Sequence, residues 1–187
     1  MNLTPVILAG GKSLRFKGKQ KALLKIDGVR LIDIISNSLK TLSSNLILIT
    51  NKPSLYSFFP GRIYKDIVPS RGPISGLYTA LHFSLTDYIF LIGCDMPFVN
   101  IELIRFMNRI RKSYEAVVPN VNGKIEPLYA IYHKNIKKKV LKLITEKHYS
   151  LHNLIKNIKT KFIEKRMVEK FDNTLMCFKN INRYKDL

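Results

Sequence analysis

Apolar positions along this chain fall into two alternating patterns, short continuous runs and helically spaced stretches. Thr4–Leu8 is a nearly continuous run and predicts a buried strand. Leu23–Ile26 predicts a short extended piece that ends in an Asp27-Gly28 turn. Leu31–Lys40 carries apolar residues at 31, 32, 34, 35 and 39, the spacing of an amphipathic helix. Leu46–Ile49 and Tyr88–Ile92 predict two more buried strands, and Ile74–Leu85 predicts a helix that starts after Gly72-Pro73. Ile101–Ile110 has one apolar face, from positions 101, 103, 104, 106, 107 and 110. Ala116–Val118 and Leu128–Tyr132 flank a turn-like Asn122-Gly123. Asn135–Thr145 and Leu151–Ile158 predict helices, and Phe162–Ile163 and Met176–Phe178 predict edge strands.

This alternation predicts an α/β fold, a mostly parallel sheet with helices on both faces. Continuous rather than alternating apolar strands agree, because both faces of such a sheet are covered. Ligands bind beyond the carboxyl ends of the strands in such sheets. The segments after Leu8 and after Ile92 should therefore open on one edge. With 187 residues and no linker, repeat or low-complexity segment, one domain is expected over 1–187.

Composition narrows the setting. Cys94 and Cys177 form no disulfide framework and no zinc pattern, and are expected as reduced, buried thiols in a cytoplasmic protein. Neither a secretory signal nor a membrane span is expected, since no apolar stretch approaches the necessary length. The formal net charge of +19 fits anionic ligands. It also fits a lysine-rich composition with no functional meaning. Lysines are scattered, and the one dense run, Lys137-Lys138-Lys139, sits in a predicted helix where it suits a solvated face. No readout helix or stacking pattern is evident, so no specific nucleic-acid partner is expected.

The chemistry concentrates at Val6–Lys21, VILAGGKSLRFKGKQK. A strand breaks there at Ala9-Gly10-Gly11 and continues as a basic loop with Arg15, Gly18 and Lys21. Small residues leave backbone N–H groups open to an anion, and the cations beyond suit a triphosphate. The spacing is neither a Walker loop nor a dinucleotide fingerprint.

This pattern, L-A-G-G-x-S-x-R-x-x-G-x-x-K, resembles the signature of nucleotidyltransferases that join an NTP to a phosphorylated acceptor and release pyrophosphate. Within them it is most similar to the molybdenum cofactor guanylyltransferases. Four further segments agree in order: Arg71-Gly72-Pro73-Ile74-Ser75-Gly76, Gly93-Cys94-Asp95-Met96-Pro97-Phe98, Glu126–Tyr132 (EPLYAIY) and Phe178-Lys179-Asn180-Ile181-Asn182. The resemblance spans the chain from residue 6 onward. It implies a single Rossmann-like domain, with a nucleotide-binding part over about 1–100 and an acceptor-binding part over about 101–187. The substrates it implies are GTP and molybdopterin, with Mg²⁺ as cofactor. It also implies dealings with proteins that deliver the cofactor or mature molybdoenzymes.

Residue by residue, the resemblance places Leu8 and Ala9 at the base and ribose, and Gly10 and Gly11 around the phosphates. Arg15 forks to phosphate oxygens. Lys21, a point charge, suits either the α-phosphate or the incoming acceptor phosphate. Asp66 is placed at the guanine edge or the ribose, against an ordinary role as a loop cap. Gly72 and Gly76 let backbone approach the nucleotide. Asp95 is the expected metal ligand, and catalysis rests on Arg15, Lys21 and Asp95. The first hundred residues hold no Glu and five Asp, and Asp27, Asp33 and Asp87 look like turn or surface positions. Asn100 suits the cap of the following helix better than Asp95 does. Glu126 suits either the acceptor pocket or a solvated strand end, and Asn180 and Asn182 match the family's N-x-N at the acceptor side. Where relatives continue T-P-E-D-L, this chain has Arg183-Tyr184-Lys185-Asp186-Leu187. His82, His133, His148 and His152 show no ligand spacing.

Two other functions share these features. One is the same chemistry with another NTP or acceptor, as in a cytidylyltransferase for the same cofactor or a sugar-phosphate enzyme. The other is a non-catalytic relative that binds nucleotide or nucleic acid. Retention of Arg15, Lys21 and Asp95 argues against the latter.

Overall fold

A computed structural model describes residues 2–10, 20–68 and 72–181. Within them a central sheet takes the strands β1 (Thr4–Leu8), β4 (Ile47–Ile49), β5 (Arg62–Tyr64), β6 (Tyr88–Gly93), β7 (Ala116–Val121), β8 (Lys124–Ile125), β9 (Tyr129–His133) and β10 (Thr160–Glu164). A separate hairpin pairs β2 (Lys25–Ile26) with β3 (Val29–Arg30). The helices are α1 (Leu31–Lys40), α2 (Pro73–Phe83), α3 (Ile101–Ile110), α4 (Lys137–Thr145), α5 (Leu151–Lys156) and α6 (Lys165–Val168).

The sheet runs β10-β7-β9-β6-β1-β4-β5, with β8 attached to β7. β1 pairs in parallel with both β4 and β6, β4 with β5, and β10 with β7. β9 is inserted antiparallel between β6 and β7. From β1 the chain moves outward to β4 and β5, then returns to β6 on the other side. The connections leaving β1 and β6 thus diverge, and a crevice opens where they part.

Alternate strand residues feed two cores. Ile7, Leu48, Phe90, Ile92, Val117 and Ile131 pack with α1, α3 and α6, through residues such as Ile32, Ile35, Leu103, Met107 and Val168. Val6, Ile47, Ile49, Leu91, Val118 and Ala130 pack with α2, α4 and α5, through Leu77, Leu81, Val140 and Leu154. Both faces of the sheet are covered, as expected.

Local chemistry sets the element ends. Asn100 caps α3 by accepting from the Leu103 N–H at 2.9 Å, worth about 1 kcal/mol. The Asn100 N–H and carbonyl in turn meet the hydroxyl of buried Tyr129, each at 3.1 Å. The predicted turn at Asn122-Gly123 is the β7–β8 hairpin, with φ of 53° and 84°, the left-handed pair that a two-residue hairpin requires.

The structure departs from the sequence expectations at a few elements. Met176–Phe178 is a 3₁₀ helix, not an edge strand. Asp172 accepts from the Cys177 N–H at 2.8 Å and from the Thr174 hydroxyl at 2.8 Å, which curls this apolar run into a turn. β5 is an edge strand that the apolar pattern does not predict; its three residues are only half-buried. The helices expected over Ile74–Leu85 and Leu151–Ile158 close earlier, at Phe83 and Lys156. No helix among the described residues is long and apolar enough to cross a membrane.

Candidate active site

β1 ends at Leu8 and β6 ends at Gly93, and these two residues are register partners. The Cys94 N–H donates to the Leu8 carbonyl at 3.1 Å, and the Ala9 N–H donates to the Ile49 carbonyl at 2.9 Å. The ends of β1, β4 and β6 are therefore bound into one lip. β9 runs the other way, so its leading residues arrive at this lip, and the Leu128 carbonyl accepts from the Gly93 N–H at 3.1 Å. A cavity of about 820 Å³ opens over it. Of the residues singled out in the sequence, Leu8, Ala9, Gly10, Lys21, Asp66, Gly72, Gly76 and Asp95 line it. Gly11, Arg15, Arg71 and Asn182 lie outside the described residues.

The central contact is an ion pair. Lys21 Nζ donates to Asp95 Oδ2 at 3.0 Å, with the side chains 24% and 22% exposed. Lys21 opens a 3₁₀ turn, Lys21–Leu23, whose Ala22 is buried. Asp95 follows β6 in a tight turn closed by the Met96 N–H on the Gly93 carbonyl at 3.2 Å. The Asp95 carbonyl accepts from the Ile181 N–H at 2.8 Å, which braces this loop from the far end of the described chain. Ile181 is buried with Leu24 and Leu31.

Gly93 keeps the space beside Asp95 open. A Cβ at this position would lie 2.7 Å from Asp95 Oδ1. The obstacle is the end of a side chain, so Gly93→Ala should fold and turn the carboxylate aside. We expect a melting temperature close to wild type, within about 1 kcal/mol of stability, and turnover at least about tenfold lower. Paired thermal melts and activity assays check this, and unchanged turnover would refute it.

At the opposite wall, Asn51 and Asp66 clasp the ends of β4 and β5. Asn51 Nδ2 donates to Asp66 Oδ2 at 2.8 Å, and the Asp66 N–H donates to Asn51 Oδ1 at 3.4 Å. Asp66 Oδ1 is shielded from solvent and has no hydrogen-bond partner among the described residues. Burial pushes the Asp66 carboxyl above its usual range, partly offset by the Asn51 bond. Gly72, at φ 131°, is the N-cap of α2, a backbone state that glycine tolerates best. Gly76 packs against Leu8, where a Cβ would come within 2.9 Å of Leu8 Cδ2.

Cys94 also lines the cavity, but its chemistry is closed off. Burial, reinforced by the Asp95 charge, pushes its thiol up to about 12, so it is neutral near pH 7. Both cysteines are free and buried, as expected. None of the four histidines lines the cavity.

The sequence reading missed Asn51, together with Gln20, Lys52 and Tyr56 on the same walls. The usable signal for Asn51 was its place, polar and just after a buried strand whose end had to meet the ligand edge. On the acceptor side, Glu126 is only 8% exposed and pairs with Lys124 at 2.6 Å. It sits two residues before cavity-lining Leu128 but does not line the cavity itself. Asn180 is half-buried and its side chain donates to the Phe178 carbonyl at 3.4 Å. Neither of these two joins Asp95 and Lys21 in the cavity wall.

Known proteins are similar to this chain in sequence and in fold. The family model of the MobA-like NTP transferase domain matches residues 5–162. A Clostridium perfringens protein named "Probable molybdenum cofactor guanylyltransferase" is 37% identical over 97% of this chain and 93% of its own length. The Syntrophotalea carbinolica protein named "Molybdenum cofactor guanylyltransferase" is 29% identical over 97% of this chain and 87% of its own. The crystal structure of molybdopterin-guanine dinucleotide biosynthesis protein A from Archaeoglobus fulgidus superposes with a TM-score of 0.85. That likeness covers 98% of this chain and 94% of that one at 22% identity, so it speaks to the fold.

Proposed function

The chain belongs to the MobA-like NTP transferase domain family, and from that membership and the site we propose that it transfers GMP from GTP to molybdenum-carrying molybdopterin. The terminal phosphate of the cofactor attacks the α-phosphorus of GTP, a new P–O–P link forms, and pyrophosphate leaves. The observation that carries this reading is the Lys21–Asp95 pair at 3.0 Å on the β1–β6 lip, in one cavity with Asp66.

A phosphate nucleophile is already ionised near pH 7, so no strong general base is needed. That suits a cavity without histidine. Gly10 offers backbone close to the phosphates, and Lys21 supplies positive charge where the α-phosphate reacts. Arg15, outside the described residues, is assigned to the leaving pyrophosphate by motif alone. Asp95 fits a hard cation, since it is a carboxylate oxygen donor on the cavity wall. The described residues contain no cluster of three His, Cys, Asp or Glu. Mg²⁺ suits a single carboxylate of this kind, since it takes one or two carboxylates and completes its shell with phosphate oxygens and water. When bound there, the ion supplies neutralisation of charge on the reacting phosphates.

Asp66 is assigned to the base, since a carboxylate can accept from guanine N1–H and its amino group. The unpartnered Oδ1 supports this. Glu126 and Asn180, on the β9 and terminal segments, are assigned to the acceptor side, and with them residues from about 101 onward. Free, buried cysteines go with a cytoplasmic location. Phosphate-rich substrates also give the +19 charge a use in steering.

The test is pyrophosphate release with each of four NTPs, with Mg²⁺ and molybdopterin supplied. GTP should be preferred on the order of 10²-fold, because a site built to bond a base edge rejects bases that leave it unpaired. Asp66→Ala should erase most of that preference while turnover with saturating GTP falls less. Equal thermal stabilisation of the wild type by all four NTPs would count against the assignment.

A further inference from the structure

We propose that Lys21 makes the Asp95 site selective for a divalent cation that arrives on the nucleotide, and against one that arrives alone; this rests on the nucleotidyl-transfer reading above. Asp95 has two carboxylate oxygens. Oδ2 is held by the Lys21 ammonium at 3.0 Å. Oδ1 lies against the end of β6, so close that a Cβ on Gly93 would sit 2.7 Å away. The backbone behind them is pinned through the Ile181 N–H at 2.8 Å. A free dication on either oxygen would lie close to that ammonium and be repelled by it. It would gain one carboxylate, which belongs to no cluster of three or more His, Cys, Asp or Glu among the described residues.

A nucleotide triphosphate changes this balance in one step. It brings oxygen ligands for the cation and a negative charge for Lys21. The ammonium can move to the phosphates and leave Oδ2 to the cation, so no charge in the partly buried pair is left uncompensated. Lys21 and the cation thus exchange places as partners of Asp95. The protein should bind the metal–nucleotide complex as a unit, and not metal first.

Mn²⁺ tests this, since its electron paramagnetic resonance signal reports free against bound ion without turnover. Nucleotide-free wild type should bind Mn²⁺ weakly. Lys21→Met should bind it about tenfold more tightly or better, because a cation a few ångströms away is gone. Adding Asp95→Asn to Lys21→Met should abolish the gain. Lys21→Gln repeats the measurement in a polar background, with circular dichroism confirming the fold of each variant. Equal Mn²⁺ affinity in wild type and Lys21→Met, whether weak or tight, overturns the proposal. So does a gain that survives Asp95→Asn. The α,β-methylene analogue of GTP separates this failure from failure of the underlying reading. If Mn²⁺ binding in the wild-type analogue complex is indifferent to Asp95→Asn, Asp95 is no metal ligand and the reading itself falls. If that binding needs Asp95 while Lys21→Met changes nothing without nucleotide, only the ordering is wrong.

Discussion

Asp95→Asn is expected to remove metal-dependent guanylyl transfer and leave a folded protein. Asn is nearly isosteric and can still accept a hydrogen bond from Lys21. The lost ion pair is partly exposed, so its removal should cost about 1 kcal/mol or less. Cys94 stays a neutral thiol in this variant, because burial is the larger cause of its shift. What the variant lacks is the charge that draws a hard cation out of water. Turnover should fall by several kcal/mol of barrier, on the order of 10³-fold. Ground-state affinity for the nucleotide should change far less, since the triphosphate carries ligands of its own for the ion. Pyrophosphate release at saturating GTP and acceptor over a Mg²⁺ titration measures this, beside a thermal melt. Wild-type turnover with an unchanged Mg²⁺ midpoint would remove Asp95 from the mechanism.

Lys21→Ala should be the next most damaging change. Loss of a cation aimed at the reacting phosphate raises the barrier by roughly 2–4 kcal/mol. The stability cost should stay near 1 kcal/mol, by the same argument of partial exposure. Near-normal kcat would mean that another cation serves the phosphate, and Lys19 would be the first to test. Arginine at this position is not a conservative repair, because a planar fork does not replace a compact ammonium.

The features most legible in the sequence are those set by burial on one face. α1 and α3 fall on their predicted boundaries, since buried Leu31, Ile32, Ile35 and Leu39, and Leu103, Ile104 and Met107, recur at helical spacing. The strand β1 also matches, because all five residues are buried. β5 was not legible. An edge strand of Arg, Ile and Tyr has one neighbour, β4, and needs no continuous apolar run. Met176–Phe178 failed for the opposite reason: three apolar residues suit a strand or a turn equally, and Asp172 decides between them. In the site, Lys21 and Asp95 stand out by motif, but their 3.0 Å pairing depends on the order of strands. Asn51 was only half legible on the same ground: its place after a buried strand was visible, its neighbours were not. A polar residue after a strand becomes a site residue only once β4 is known to lie beside β1.

The bond from the Ile181 N–H to the Asp95 carbonyl bears on how the protein is made. Synthesis runs from the amino end, so β1, β4 and β6 are all available before β9 or residue 181 has left the ribosome. A nascent chain at that stage can bring the Leu8 and Gly93 ends together. Its Asp95 loop still lacks the Leu128 carbonyl on one side and the Ile181 brace behind. The Asp95 loop therefore acquires that support only after residue 181 has left the ribosome, and a chain stalled short of residue 181 carries the ends of β1, β4 and β6 without that brace.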